Sequence, residues 1–163
     1  MVSEWRMRTS LKELLETAKR KTSLKLVLEL KAHSKPEREI KAVEEIVSMI
    51  KKMGLEPRMI YITFSSHALK ELIRQAPTST PVYYLKGDLS PQQLKELGSA
   101  GPDYHFSEFY RYTDWIESCH ALGLKVNVWT VNKKEDMQYF WDKVDFITTD
   151  EPLGLLKDIM KVK

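Results

Sequence analysis

Glu29 and Lys31 stand two residues apart at the end of the run Leu24 to Lys31, LKLVLELK. Alternate residues of a strand share a face, so both side chains can converge on one ligand. A carboxylate can hold a divalent cation and an ammonium can hold a phosphate, a useful pair at the active face of an α/β barrel. Leu24, Leu26, Leu28 and Leu30 fall on the opposite face, with Val27 and Lys25 on the Glu29 side. A carboxylate directed into a barrel is costly unless a cation or hydrogen-bond donors accept it, which makes Glu29 a candidate ligand rather than a packing residue.

Other candidates occupy the ends of later apolar runs: Thr63 and Ser65, Lys86, His105, Trp129 and Asn132, and Asp150. His33 and His67 lie just past the first two runs and can act as acid and base on a phosphate ester where the fold brings them together. His120 falls inside a helix and is set apart from them. Trp129 reads as a core aromatic or, near a strand end, as a wall for an alcohol or glycerol group. No serine sits in a sharp glycine-flanked turn, no histidine pair has metal-ligand spacing on a helix, and no glycine-rich turn offers a phosphate cradle.

The elements that must position these residues alternate regularly. Ser10 with Glu13 forms a capping box ahead of a helix over Leu11 to Lys21, and a strand over Leu24 to Lys31 follows. Pro36, with Glu37 and Glu39 in the first turn, opens a helix that Gly54 closes. Further strands are expected over Met59 to Phe64, Val82 to Lys86, Asp103 to Phe106, Lys125 to Val131 and Val144 to Thr148. Helices are expected over Ala68 to Gln75, from Ser90 and Pro91, over Phe109 to Leu122, over Lys134 to Lys143 and after Pro152. Six strands alternating with seven helices predict an α/β fold with a mostly parallel sheet, open and doubly wound or part of a barrel.

At 163 residues, with 42% hydrophobic and 30% charged residues, the chain reads as one folded domain over 1–163. That is short of the roughly 250 residues of a complete eight-fold barrel. The net charge of +3 is spread along the chain, which argues against a nucleic-acid partner. A lone Cys119 excludes an internal disulfide. No run has the length or apolarity of a membrane span or signal core, so the chain reads as cytoplasmic, with an extracytoplasmic origin open to a truncated N-terminus.

Several segments, in order, resemble the glycerophosphodiester phosphodiesterase family. LVLELK resembles its Glu-x-Lys strand, ITFSSHALKELIRQAP its Ser-Phe strand and following helix, and GLKVNVWTVNKKEDM with VDFITTDEP its last two strands. The Trp-Thr-x-Asn segment followed by Thr-Asp-x-Pro is the most specific, and the resemblance runs from about Ser10 to the end. It implies strands three to eight of a TIM-type β/α barrel, an incomplete barrel without the first two strands. By the same resemblance those strands carry the family's two acid/base histidines and two of three metal carboxylates. Glu29 is then the remaining metal ligand, Lys31 the phosphate contact and Trp129 a substrate contact, while Thr63 stands where the family usually has serine.

The implied activity, in lipid metabolism, is metal-assisted hydrolysis of a glycerophosphodiester to glycerol phosphate and an alcohol, with calcium or magnesium. One carboxylate is a poor site for a cation that takes six or more oxygens, so weak or absent metal binding and little activity are expected of this chain alone. A non-catalytic binding or assembly protein derived from the barrel is the alternative. Bare strand edges also predict self-association.

Overall fold

The computed structural model describes residues 10–153. Helix α1, Leu11–Lys21, starts at the expected capping box, with the Glu13 N–H donating to Ser10 Oγ and the Ser10 N–H to Glu13 Oε2. Strand β1 is Leu26–Leu30 and helix α2 is Pro36–Met53, stopped by Gly54 in the left-handed region at φ +65°. A 3₁₀ turn over Glu56–Arg58 leads into β2, Met59–Thr63. Helix α3, Ser66–Gln75, precedes β3, Val82–Tyr84, and α4, Pro91–Leu97, precedes β4, Gly101–His105. Then come α5, Phe106–Arg111, α6, Trp115–Ala121, β5, Asn127–Trp129, α7, Lys134–Phe140, and β6, Phe146–Ile147.

The sheet order is β1-β2-β3-β4-β5-β6, with all five pairings parallel. Each crossover passes over the same side, and the sheet curls into a half-barrel. Tyr83 on β3 and Phe146 on β6 meet edge to face at 6.4 Å, and Val27 on β1 shares a cavity of about 220 Å³ with Phe146 and Ile147 on β6. The apolar core lies between the convex face of the sheet and the helices. Leu30, Met59, Tyr61, Tyr84, Tyr104, Val126 and Val128 pack there against Val43, Ile50, Leu69, Leu72, Leu94, Phe109 and Phe140. Cys119 is part of this core, and burial pushes its thiol up to about 12, which keeps it unreactive.

Two expectations change. The helix expected over Phe109 to Leu122 is two helices. Tyr112 leaves helical geometry, at φ −118° and ψ 76°, and its ring stacks on Trp115 at 4.1 Å. The strands are also shorter than the apolar runs, because residues such as Leu85 and Val131 bond to a neighbouring carbonyl beyond the regular ladder. The helix expected after Pro152 lies largely outside the described residues. Gly101 permits a close passage between β4 and β5: its φ is +147°, and a Cβ there would collide with the Lys125 carbonyl oxygen. No described helix is long and apolar enough to cross a membrane.

Candidate functional site

Strand alternation sends Glu29, Phe64, Leu85, Asp103 and Trp129 toward the concave side. With Ile62, Thr130 and Thr148 they line a cavity of about 240 Å³ at the carboxyl ends of the strands. This is the end of a β/α barrel where chemistry is assembled. Glu29 points inward as its alternation requires, but among the described residues β1 ends the sheet; the carboxylate is partly exposed and lies 3.7 Å from the Lys31 ammonium. Glu29 therefore keeps contact with solvent and is not the desolvated carboxylate expected of an inward strand position. An exposed pair of this kind contributes little to stability, leaving both groups available to a ligand.

The buried carboxylate of the concave face is Asp103, 3% exposed. It accepts a hydrogen bond from Asn127 Nδ2 at 2.8 Å, and that amide also reaches Thr148 Oγ1 at 3.1 Å. Burial pushes the Asp103 carboxyl up to about 6, the Asn127 bond holds it back, and the negative charge of Glu29 adds to the rise. The Asn127 Oδ1 atom is buried, with no hydrogen-bond partner among the described residues. Sequence reading passed over Asp103 because an aspartate after Gly-Pro reads as the start of a strand. Its spacing of two from His105 was the available signal that both share a face.

Trp129 lies where an inward indole was expected. Its Nε1 donates to the Asp103 carbonyl at 2.8 Å, and its ring meets Phe64 at 5.8 Å and His105 at 5.1 Å, both edge to face. The indole is thereby held as one wall of the cavity. His105 is itself the N-cap of α5, its Nδ1 accepting the Ser107 N–H at 3.3 Å and meeting Ser107 Oγ at 2.7 Å. Thr63, by contrast, faces the helices. Its hydroxyl donates to the Leu30 carbonyl at 2.8 Å and accepts the Ser65 N–H, so it ties β2 to β1.

His33 and His67 meet around one buried carboxylate, Glu39 in the first turn of α2. The His33 backbone N–H donates to Glu39 Oε1 at 3.0 Å, while Ser65 Oγ and His67 Nδ1 both reach Oε2 at 2.9 Å. Burial raises the Glu39 pKa, but these three partners outweigh it and hold the carboxyl below its ordinary value. The His33 ring turns back to the Lys31 carbonyl at 2.9 Å. The two histidines thus brace the loops after β1 and β2. Asn132 and Asp150 likewise join the last two loops, Asn132 Nδ2 donating to Asp150 Oδ2 at 2.7 Å and Oδ1 accepting from Thr149 and the Asp150 N–H. Lys86 pairs with Asp88 at 2.7 Å.

The model of the glycerophosphoryl diester phosphodiesterase family matches residues 1–153. The chain belongs to that family. A glycerophosphodiester phosphodiesterase from Caldanaerobacter subterraneus is 30% identical over 123 residues, covering 72% of this chain and 49% of the relative. The crystal structure of a glycerophosphodiester phosphodiesterase from Parabacteroides distasonis superposes with a TM-score of 0.89 at 42% identity, over 93% of this chain and 64% of that one. A phosphodiesterase from Oleispira antarctica, solved in complex with the product sn-glycerol-3-phosphate, shares the fold at TM-score 0.62 and 19% identity, over 83% of this chain and 56% of that one. This phosphodiesterase-family chain therefore spans about half the length of its curated relative, and its six strands correspond to part of the family's TIM-type barrel.

A divalent cation is the group such a family implies. Among the described residues no three His, Cys, Asp or Glu side chains stand close enough to hold one, and Glu29 is the partly exposed carboxylate on the concave face. Taken alone, these residues do not complete a calcium or magnesium shell.

Proposed function

We propose that the chain supplies one side of a glycerophosphodiester phosphodiesterase site, acting in the metal-assisted hydrolysis of glycerophosphodiesters to glycerol phosphate and an alcohol. Lys31 holds the phosphate, and Trp129 with Phe64 walls the organic part of the substrate. Glu29 contributes one carboxylate to a calcium or magnesium site whose other ligands lie beyond the described residues. The observation that carries this reading is the convergence of Glu29, its neighbour Lys31, and Trp129 at one mouth of the half-barrel, in a chain of this family. The product complex of the Oleispira antarctica protein supports glycerol phosphate as the ligand class.

Little or no turnover is expected of the chain alone, because the donors it offers are too few for a tight cation site and His33 and His67 are engaged in bracing loops. The test is release of sn-glycerol-3-phosphate from glycerophosphocholine with calcium or magnesium supplied. Background rates agree with the proposal, whereas robust turnover by the chain alone overturns it.

We also infer self-association. Among the described residues strands β1 and β6 end the sheet, and in them Val27 is 60% and Phe146 44% exposed, an apolar rim that a second copy can cover. Sedimentation as a strict monomer, with slow amide exchange on both edge strands, would contradict it.

A further inference from the structure

Asp103 is the carboxylate that the proposed chemistry leaves without a task, and its position is costly. It is 3% exposed, lies between the cavity of about 240 Å³ at the mouth and the deeper one of about 220 Å³, and lines both. Its neighbours on the concave face are chiefly apolar: Ile62, Leu85 and Tyr83. Asn127 Nδ2 bonds Asp103 Oδ1 at 2.8 Å, and among the described residues no cationic side chain pairs with the carboxylate. A buried carboxylate is costly to desolvate, and its two oxygens offer about four acceptor positions, of which the described side chains fill one.

We infer that Asp103 is a specificity-determining residue, accepting a hydrogen bond from a free hydroxyl of the glycerol moiety bound at the mouth of the half-barrel. The inference rests on the reading of Lys31 as the phosphate contact. With the phosphate at Lys31, one residue past β1, and Trp129 fixed against the Asp103 carbonyl, the space between β1 and β5 is floored by the Asp103 carboxylate. A polyol fits this combination of one polar floor and aromatic walls, and the cavity is smaller than the roughly 300 Å³ at which drug-sized ligands begin to fit. Charge-assisted hydroxyl bonds are about twice as strong as neutral ones, so such a floor discriminates against a ligand that lacks the hydroxyl.

The test compares sn-glycerol-3-phosphate with propyl phosphate, which keeps the phosphate and loses both hydroxyls, by calorimetric titration of the full chain at pH 8. The wild-type protein should prefer the glycerol phosphate by about tenfold. Asp103→Asn should reduce that preference several-fold, and Asp103→Ala should abolish it, while propyl phosphate binding stays within about twofold. Lys31→Ala should weaken both ligands alike. If Lys31→Ala weakens both and Asp103→Asn and Asp103→Ala keep the wild-type preference, the role of Asp103 is refuted and the phosphate reading stands. If Lys31→Ala changes neither affinity, the phosphate reading falls and Asp103 loses its basis with it. Equal wild-type affinity for the two ligands also refutes the inference.

Discussion

Replacing Asp103 by Asn should stabilise the fold, and do so only where the carboxyl would be charged. The Asp103 pKa lies near 6 in the fold against an ordinary 3.8, a rise of roughly two units caused by burial, with the Glu29 charge adding to it. At 1.36 kcal/mol per unit this amounts to about 3 kcal/mol, an upper figure. The sign follows from a raised acid: the folded state binds the proton more tightly than the unfolded chain. Full stability is present below about pH 4, falls between there and pH 6, and stays lower above. An Asn of the same shape carries no charge and can still accept the Asn127 amide through its own carbonyl.

Urea unfolding of the two proteins, with a chelator present, should show near parity at pH 4. At pH 8 the Asp103→Asn protein should be more stable by about 1 to 3 kcal/mol, with unchanged m-values. Taking the difference between the proteins cancels the other carboxylates. A difference that is constant from pH 4 to pH 8, or a variant less stable at pH 8, would refute the claim that this carboxylate is kept at a cost in stability.

Glu39→Ala should lower stability by about 1 to 3 kcal/mol, since it strips an acceptor from the His33 N–H, Ser65 and His67, and amide exchange at His33 should accelerate. Because the Glu39 pKa is depressed in the fold, its contribution is present above about pH 4.5 and is lost as pH falls through the lower folded value, so wild type and variant should converge in acid. Gly101→Ala should fail to fold or lose several kcal/mol, measured by thermal unfolding, because the new Cβ meets the Lys125 carbonyl at a positive φ.

Much of this fold is written locally. Capping boxes at Ser10 and Ser90 and the stop at Gly54 mark helix ends through bonds made within a few residues, so those boundaries match the sequence closely. The inward direction of Glu29 and Trp129 follows from strand alternation alone. What the sequence could not show depends on curvature and neighbours. The curl that brings Val27 of β1 to the same cavity as Phe146 of β6 is a property of the whole sheet, and the edge position of β1 is what exposes Glu29. Glu39 looked like an ordinary first-turn acid until two loops closed over it, and Asp103 gained its character from strands on either side. The break at Tyr112 likewise depends on a ring stacking three residues ahead.

Glu29, Lys31, Asp103 and Trp129 are proposed to form one ligand site at the mouth of the half-barrel. Residue-resolved NMR of the labelled chain titrated with sn-glycerol-3-phosphate tests it most directly. Saturable shifts are expected at the Glu29, Lys31 and Asp103 amides and at the Trp129 indole N–H, and these should be lost in Lys31→Ala. Saturable shifts confined to another face of the molecule, or undiminished in Lys31→Ala, would contradict it.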